Sequence, residues 1–310
     1  MKLRPAAASL ASSPRHLYSL ADLGREGILG ILDRAAELRD RPIDRARFGG
    51  KILGLLFFQS STRTRFGFHA AMARLGGTAI ELDHLKYQQG MTHPESLSDT
   101  VRCIAAYCDA IVLRHPDGAA VEEAMRVSTV PIVNGGSGSE HHPTQALIDL
   151  YAIRRQLGRL DRLSIGIAGD LATSRSARSL IQALDAFPPT HLRLMIPAGG
   201  IPPGFLPAGF PIAPAVTYSL DLAGLDVIYM AGFPEGTDGS HAERERAALR
   251  LTAQRAQRLD PSAIILDPLP RIDEIEPRVD ELPQARYFEQ SAGGLEVRAA
   301  VLQDVLTSSG

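Results

Sequence analysis

Apolar positions along this chain follow two periods that alternate. Residues 20–41 carry Leu20, Leu23, Ile28, Ile31, Leu32 and Leu38 on one side of a helix, the three- and four-residue recurrence of an amphipathic helix. Residues 52–58 are a nearly continuous apolar run, as expected of a strand covered on both faces. Phe68, Ala71, Met72 and Leu75 resume the helical spacing over 66–75, and a short strand is predicted at 78–82. Helices at 96–107 and 119–125 then alternate with strands at 110–113 and 130–133, the last ending in Asn134-Gly135-Gly136-Ser137-Gly138. This order predicts a parallel sheet with helices on both sides.

A long helix starting at Pro143, with Ala146, Leu147, Leu150, Ile153 and Leu157 as its stripe, closes the first series. The alternation restarts with strand 163–168, helix 176–186 and strands 192–197, 227–230 and 264–267. The final stretch, 294–306, has Leu295, Ala299 and Leu302 at helical spacing. The predicted fold class is therefore α/β: two doubly wound domains, each a parallel sheet flanked by helices, joined by a long interdomain helix with a cleft between them. Residues 197–214 hold six prolines (Pro197, Pro202, Pro203, Pro207, Pro211 and Pro214), so no helix is expected there.

Composition narrows the class without changing it. The chain has 310 residues, 45% hydrophobic and 22% charged, which suits one large or two medium globular domains. A formal net charge of −2 argues against a general nucleic-acid binder, which needs a basic face. No apolar run reaches the ~18 to 20 residues of a membrane span. Met1-Lys2-Leu3-Arg4 has a signal-like start, but Ser9, Ser12 and Ser13 break the apolar core that should follow, so a loose leader is expected. Cys103 and Cys108 have no CxxC or Cys/His company and read as two reduced core thiols, which fits a reducing cytoplasm. No metal site and no cofactor is expected.

The most informative stretch is Phe57-Phe58-Gln59-Ser60-Ser61-Thr62-Arg63-Thr64-Arg65, an apolar strand that runs into a hydroxyl- and guanidinium-rich turn before a helix. Unpaired N–H groups and the positive end of the helix dipole meet there, and Arg63 adds a bidentate donor. That combination makes a phosphate cradle without glycines. Arg114 ends a strand at the carboxyl edge, where open α/β sheets bind ligands. Gly166 and Gly169 invite a dinucleotide reading, but Ile165-Gly166-Ile167-Ala168-Gly169-Asp170 lacks the GxGxxG register.

Ser61-Thr62-Arg63-Thr64-Arg65 resembles the carbamoyl-phosphate loop of the aspartate/ornithine carbamoyltransferases. The resemblance continues, in the family's order, at Arg114-His115-Pro116, at His142-Pro143-Thr144-Gln145, at Gly169-Asp170-Leu171 with Arg175, and at 268–275. Pro268-Leu269-Pro270-Arg271 resembles the aspartate branch. The resemblance implies a carbamoyl-phosphate-binding domain of residues 1–142, completed by the returning C-terminal helix 294–310, and an acceptor-binding domain of residues 143–293. It implies a cytoplasmic homotrimer with shared active sites, acting on carbamoyl phosphate and a small amine.

By the same resemblance Ser61, Thr62, Arg63 and Thr64 hold the phosphate, and Arg114 serves both phosphate and carbonyl. His142 donates to the carbonyl oxygen, while Gln145 and the backbone carbonyls of Pro268 and Leu269 receive the carbamoyl NH₂. Arg63, Thr64, Arg114 and His142 are the catalytic set. His141, beside them, is read as an ordinary surface or capping residue.

Three departures fall on the acceptor side. Aspartate-specific members have a Ser-x-x-x-Lys-Gly-Glu loop from the neighbouring subunit, and here Gln89 stands at its serine and His93-Pro94 at Lys-Gly. Lys86 lies in the same loop and offers a substitute cation; His93 does so only when protonated. Gly232 and Pro234 stand where the family has an Arg and a Gln that grip the aspartate side chain, followed by Glu235. Asp267 stands where a His precedes Pro-Leu-Pro. Arg175 remains, and the resemblance gives it the acceptor's α-carboxylate. With Gly232, Phe233, Glu235 and Asp267 forming the rest of that pocket, the expected acceptor is an amino-acid-like amine other than aspartate, which suits specialised metabolism. The alternatives are a genuine aspartate carbamoyltransferase of pyrimidine synthesis, or a catalytically silent homologue with a structural or regulatory role.

Overall fold

A computed structural model of the chain describes residues 14–41, 43–82, 95–233 and 240–307. The first series of apolar runs folds into β1 (Ile52–Phe57), β2 (Thr78–Leu82), β3 (Ala110–His115) and β4 (Ile132–Ser137), in the order β2-β1-β3-β4. The second gives β5 (Ser164–Gly169), β6 (His191–Met195), β7 (Ala215–Thr217), β8 (Val227–Gly232) and β9 (Ile264–Leu266), in the order β7-β6-β5-β8-β9. Every pairing in both sheets is parallel. The predicted α/β class with two helix-flanked parallel sheets is what the chain adopts.

The helices are α1 (Gly24–Asp40), α2 (Thr62–Leu75), α3 (Leu97–Ala105), α4 (Ala119–Val127), α5 (Pro143–Leu157), α6 (Arg175–Ala186), α7 (Ser240–Leu249), α8 (Ala253–Ala256) and α9 (Tyr287–Thr307). The first expected helix is split. A 3₁₀ turn at Leu20–Asp22 precedes α1, because Gly24 takes φ 60°, a left-handed conformation that breaks a right-handed helix. α9 starts at Tyr287, earlier than its apolar spacing implied, since its leading turns bury Gln290, Gly293 and Gly294 beside Tyr287. Charged α7 and the short elements β7 and α8 carry no apolar period and escaped the sequence reading. No helix forms in the proline-rich stretch, which runs through turns to β7.

Packing explains why α5 can join the two sheets. Its buried residues run from Pro143 to Ile153 and include Ile148, Asp149, Tyr151 and Ala152 off the expected stripe. A helix buried all round belongs inside a protein, and α5 packs against α6 and α9 at once. α9 also packs on α1 and α2, so the C-terminal helix returns to the first sheet's side. One continuous core runs through Leu53, Phe68, Leu147, Ile167, Tyr229 and Leu302, crossing from one sheet to the other. Truncating a fully buried ring such as Phe68 to Ala costs about 3–5 kcal/mol. One expectation fails here. Cys103 is exposed and Cys108 half-buried, because α3 turns Thr100, Val101 and Ala105 inward instead.

Candidate active site

Parallel strands put all their carboxyl ends on one edge, and the polar residues that follow them meet there. β1 ends at Phe57, in register with Arg114 of β3. The chain then passes through Gln59-Ser60-Ser61 and enters α2 at Thr62. Ser61 is the N-cap residue with φ −161°, yet its hydroxyl makes no capping hydrogen bond. The first-turn N–H groups of α2 have no helical partners, so this end offers hydroxyls, amides and a positive dipole together.

The cavity that this end opens into has a volume of about 480 Å³. Ser61, Thr62, Arg63 and Thr64 form one side, and Arg114, His142 and Gln145 form another. Pro268, Leu269 and Pro270 close it from the second sheet, together with Arg175 and Ser176 of α6. Every residue expected at the carbamoyl-phosphate site therefore faces one cavity, although the set spans residues 61 to 269. Ser60, Ser176 and Pro270 join them; Ser60 and Pro270 belong to the two motifs, whereas Ser176 carries no sequence signal.

Arg114 is buried, and its guanidinium donates to the Gly135 carbonyl at 3.0 Å. Burial first, and the nearby cations Arg175 and Arg63 second, push it down to about 9. Gly136 makes room for it: at φ 123°, a Cβ there would lie 2.6 Å from the Arg114 guanidinium. Arg63 donates to the Leu269 carbonyl, which joins the phosphate turn to the second sheet. Arg175 opens α6 and donates to Gln59 Oε1 at 2.9 Å and to the Gly138 carbonyl at 3.1 Å.

His142 caps α5 with Pro143 following, and its backbone N–H donates to Ser179 Oγ at 2.8 Å. Burial, then Arg114, Arg175, Arg298 and Arg63, hold its pKa well below 6.5. The imidazole is therefore neutral and keeps one N–H to give. Gln145, on the next turn, donates through Nε2 to Asp149 Oδ1 at 2.8 Å. Arg298 of α9 is a buried cation near this group, brought down to about 10 by burial and by Arg63, and sequence periodicity gave no sign of it.

The acceptor-side residues are more scattered. Arg175 lines the cavity, whereas Gly232, Phe233 and Asp267 lie off its wall. Asp267 is buried beneath the Pro268–Leu269 turn, where its Oδ1 accepts from the Leu269 N–H at 2.6 Å. Burial and the adjacent Glu274 push it up to about 8. Gly232 takes φ 77°, and its carbonyl accepts from Asp170 N–H at 2.9 Å. A side chain at 232 would start 3.5 Å from Glu274 Oε1. Glu235, Lys86, Gln89 and His93 lie outside the described residues. The glycine pair of β5 also finds its reason: a Cβ on Gly169, at φ 130°, would lie 2.5 Å from the Gly232 carbonyl oxygen. Close strand approach, not a nucleotide, requires it. His141 contacts Gln182 Oε1 at 3.2 Å and the Tyr18 ring, away from the cavity wall.

Two parallel sheets, a helix start with free N–H groups and three guanidiniums around a neutral imidazole give this cleft the features of an anion site. Comparison with known families gives the enzyme class. Residues 15–155 match the aspartate/ornithine carbamoyltransferase carbamoyl-P binding domain, and residues 161–305 the Asp/Orn binding domain of the same family. The chain belongs to the aspartate/ornithine carbamoyltransferase family of enzymes.

The aspartate carbamoyltransferase catalytic subunit of Archaeoglobus fulgidus is 39% identical over 297 residues, 94% of this chain and 99% of that one. The catalytic subunit of M. jannaschii aspartate transcarbamoylase superposes with a TM-score of 0.85 at 38% identity, covering 94% of this chain and 98% of that chain. Aspartate transcarbamoylase from Trypanosoma cruzi in complex with carbamoyl phosphate and aspartate also gives 0.85, at 31% identity, covering 94% and 96%. No described helix is long and apolar enough to cross a membrane.

Proposed function

We propose that the protein transfers the carbamoyl group of carbamoyl phosphate to the amine of an amino acid and releases phosphate. The observation that carries this is the convergence of Ser61, Thr62, Arg63, Thr64, Arg114, His142 and Gln145 on one cavity. The start of α2 and the two arginines hold the phosphate. As the amine attacks, the carbonyl oxygen gains charge, and Arg114 with the His142 N–H stabilises it from fixed positions in a buried site. Burial first, and the surrounding guanidiniums second, keep His142 neutral and leave it as a hydrogen-bond donor. Gln145 Oε1 and the carbonyls of the Pro268–Leu269 turn receive the NH₂ group and orient the carbonyl. Arg175, across the cavity, takes the acceptor's α-carboxylate. The gathering of these side chains on one cavity supports an active enzyme over a catalytically silent role.

Aspartate is the acceptor that the relatives favour, because those of Archaeoglobus fulgidus and Methanocaldococcus jannaschii are named aspartate carbamoyltransferase. Gly232 supports a second reading. Position 232 has no side chain and so supplies no cation for a second carboxylate, which favours an amine with a monocarboxylate or cationic tail. A donor domain of 1–142 with 294–310, an acceptor domain of 143–293 and a shared-site homotrimer complete the proposal. The deciding measurement is kcat/KM for aspartate against a panel of monocarboxylate and diamino acids, with phosphate release from labelled carbamoyl phosphate as readout. Aspartate as the clear best substrate removes the second reading; no turnover and no calorimetric heat with carbamoyl phosphate remove the first.

A further inference from the structure

Asp149 does not line the cavity, yet it bonds to a residue that does. Asp149 sits one turn after Gln145 on α5 and is fully buried. Its Oδ1 accepts from Gln145 Nε2 at 2.8 Å and from Gln290 Nε2 of α9 at 2.6 Å. Its Oδ2 accepts from the Tyr229 hydroxyl of β8 at 3.1 Å. Three elements thus converge on one carboxyl. Gln290 Oε1 in turn accepts from the Asp267 N–H at 2.9 Å, and Asp267 Oδ1 accepts from the Leu269 N–H.

A buried polar group that fails to find its partner is costly, so such a chain of bonds holds one arrangement. Once ionised, the carboxylate oxygens can only accept, so Oδ1 must face the nitrogen of the Gln145 amide. The Gln145 oxygen is thereby left for the cavity. An inverted amide would set two acceptors against each other and present an N–H to the carbamoyl NH₂, which is itself a donor. Through Gln290 the same carboxyl also fixes the turn that ends in the Pro268 and Leu269 carbonyls.

We propose that Asp149 is a positioning residue for the donor, orienting Gln145 and the Asp267–Leu269 turn so that both present oxygens to the carbamoyl NH₂. This rests on the carbamoyl-phosphate reading above. It separates the donor's two ends: the phosphate is held by α2 and Arg114, neither of which bonds to Asp149.

The test compares carbamoyl phosphate with inorganic phosphate on the full-length protein. Asp149→Ala is expected to raise the KM for carbamoyl phosphate about tenfold, the worth of one good hydrogen bond, and to leave inorganic phosphate affinity within a factor of two. Asp149→Asn keeps an acceptor oxygen towards both glutamines and is expected to restore most of the loss. Gln145→Ala is expected to cost little more in the Asp149→Ala background than Asp149→Ala alone. Gln290→Leu cuts the link from the α9 side, should the alanine variant fail to fold, and is expected to move carbamoyl phosphate and not phosphate. Equal weakening of both ligands, or additive losses from Gln145 and Asp149, overturns the inference while the carbamoyltransferase reading stands. Wild-type protein that binds phosphate but not carbamoyl phosphate overturns both.

Discussion

Arg114 is held at a cost that its ligand should relieve, and replacing it by the apolar, similarly long Met makes that cost measurable. Its guanidinium ordinarily stays charged far into the alkaline range, and burial beside Arg175 and Arg63 brings it down to about 9. That displacement corresponds to about 5 kcal/mol of unfavourable free energy on the charged form. Removing the side chain also forfeits the bond to the Gly135 carbonyl and leaves that buried acceptor alone, at about 1–3 kcal/mol. The ligand-free Arg114→Met protein should therefore be more stable by about 2–4 kcal/mol, within the range found when buried charges give way to apolar groups. The sign with pH follows from which state holds the proton. Below about 9 both folded and unfolded Arg114 are charged, so the full penalty is present; above it the folded protein sheds the charge and the penalty shrinks. Thermal unfolding near pH 7.5 without phosphate, at matched protein concentration, should show a midpoint several degrees above wild type. Carbamoyl phosphate should raise the wild-type midpoint far more than the variant's, and kcat/KM should fall at least 100-fold, as two lost charge-assisted bonds imply. A ligand-free midpoint below wild type would refute the reasoning, because it would mean that Arg114 stabilises the empty site.

Arg175→Ala should remove acceptor turnover while calorimetry still shows carbamoyl phosphate binding; loss of both means that Arg175 serves the donor instead. Gly232→Arg should shift preference towards aspartate only if position 232 tolerates its φ of 77°, a conformation that side chains resist, so a folding check by circular dichroism accompanies the kinetics. Asp149 is pushed up from 3.8 to about 7 by burial, so the folded protein holds a proton that the unfolded chain releases between about pH 4 and 7. Wild type should lose up to about 4 kcal/mol relative to Asp149→Asn across that window and nothing more above it; parallel denaturation curves from pH 4 to 8 contradict this. Mixing Arg63→Ala with a Lys86→Ala, His93→Ala variant should restore activity through hybrid sites if the loop completes a neighbour's cavity, and a fully active monomer rules that out.

The alternation of apolar periods was enough to settle both sheets, since a strand buried on both faces and an amphipathic helix leave different repeats in the chain. The donor residues were legible for a related reason. Ser61 to Thr64 and His142 to Gln145 are compact blocks at strand or helix boundaries, and a parallel sheet sends all such boundaries to one edge. Tertiary structure alone decided the rest. Asp149 was hidden because a single acid in an apolar helix has no period, and its partners come from β8 and α9, 80 and 141 residues away along the chain. Arg298 was hidden likewise, tucked against Gly67 and Gly294, whose missing side chains make its space. Asp267 looked like an acceptor ligand from its place in the Pro-Leu-Pro block, yet the fold turns it under the turn to hold the Leu269 N–H. Sequence patterns report local repeats; which side of a turn a carboxylate occupies is settled by what packs against it.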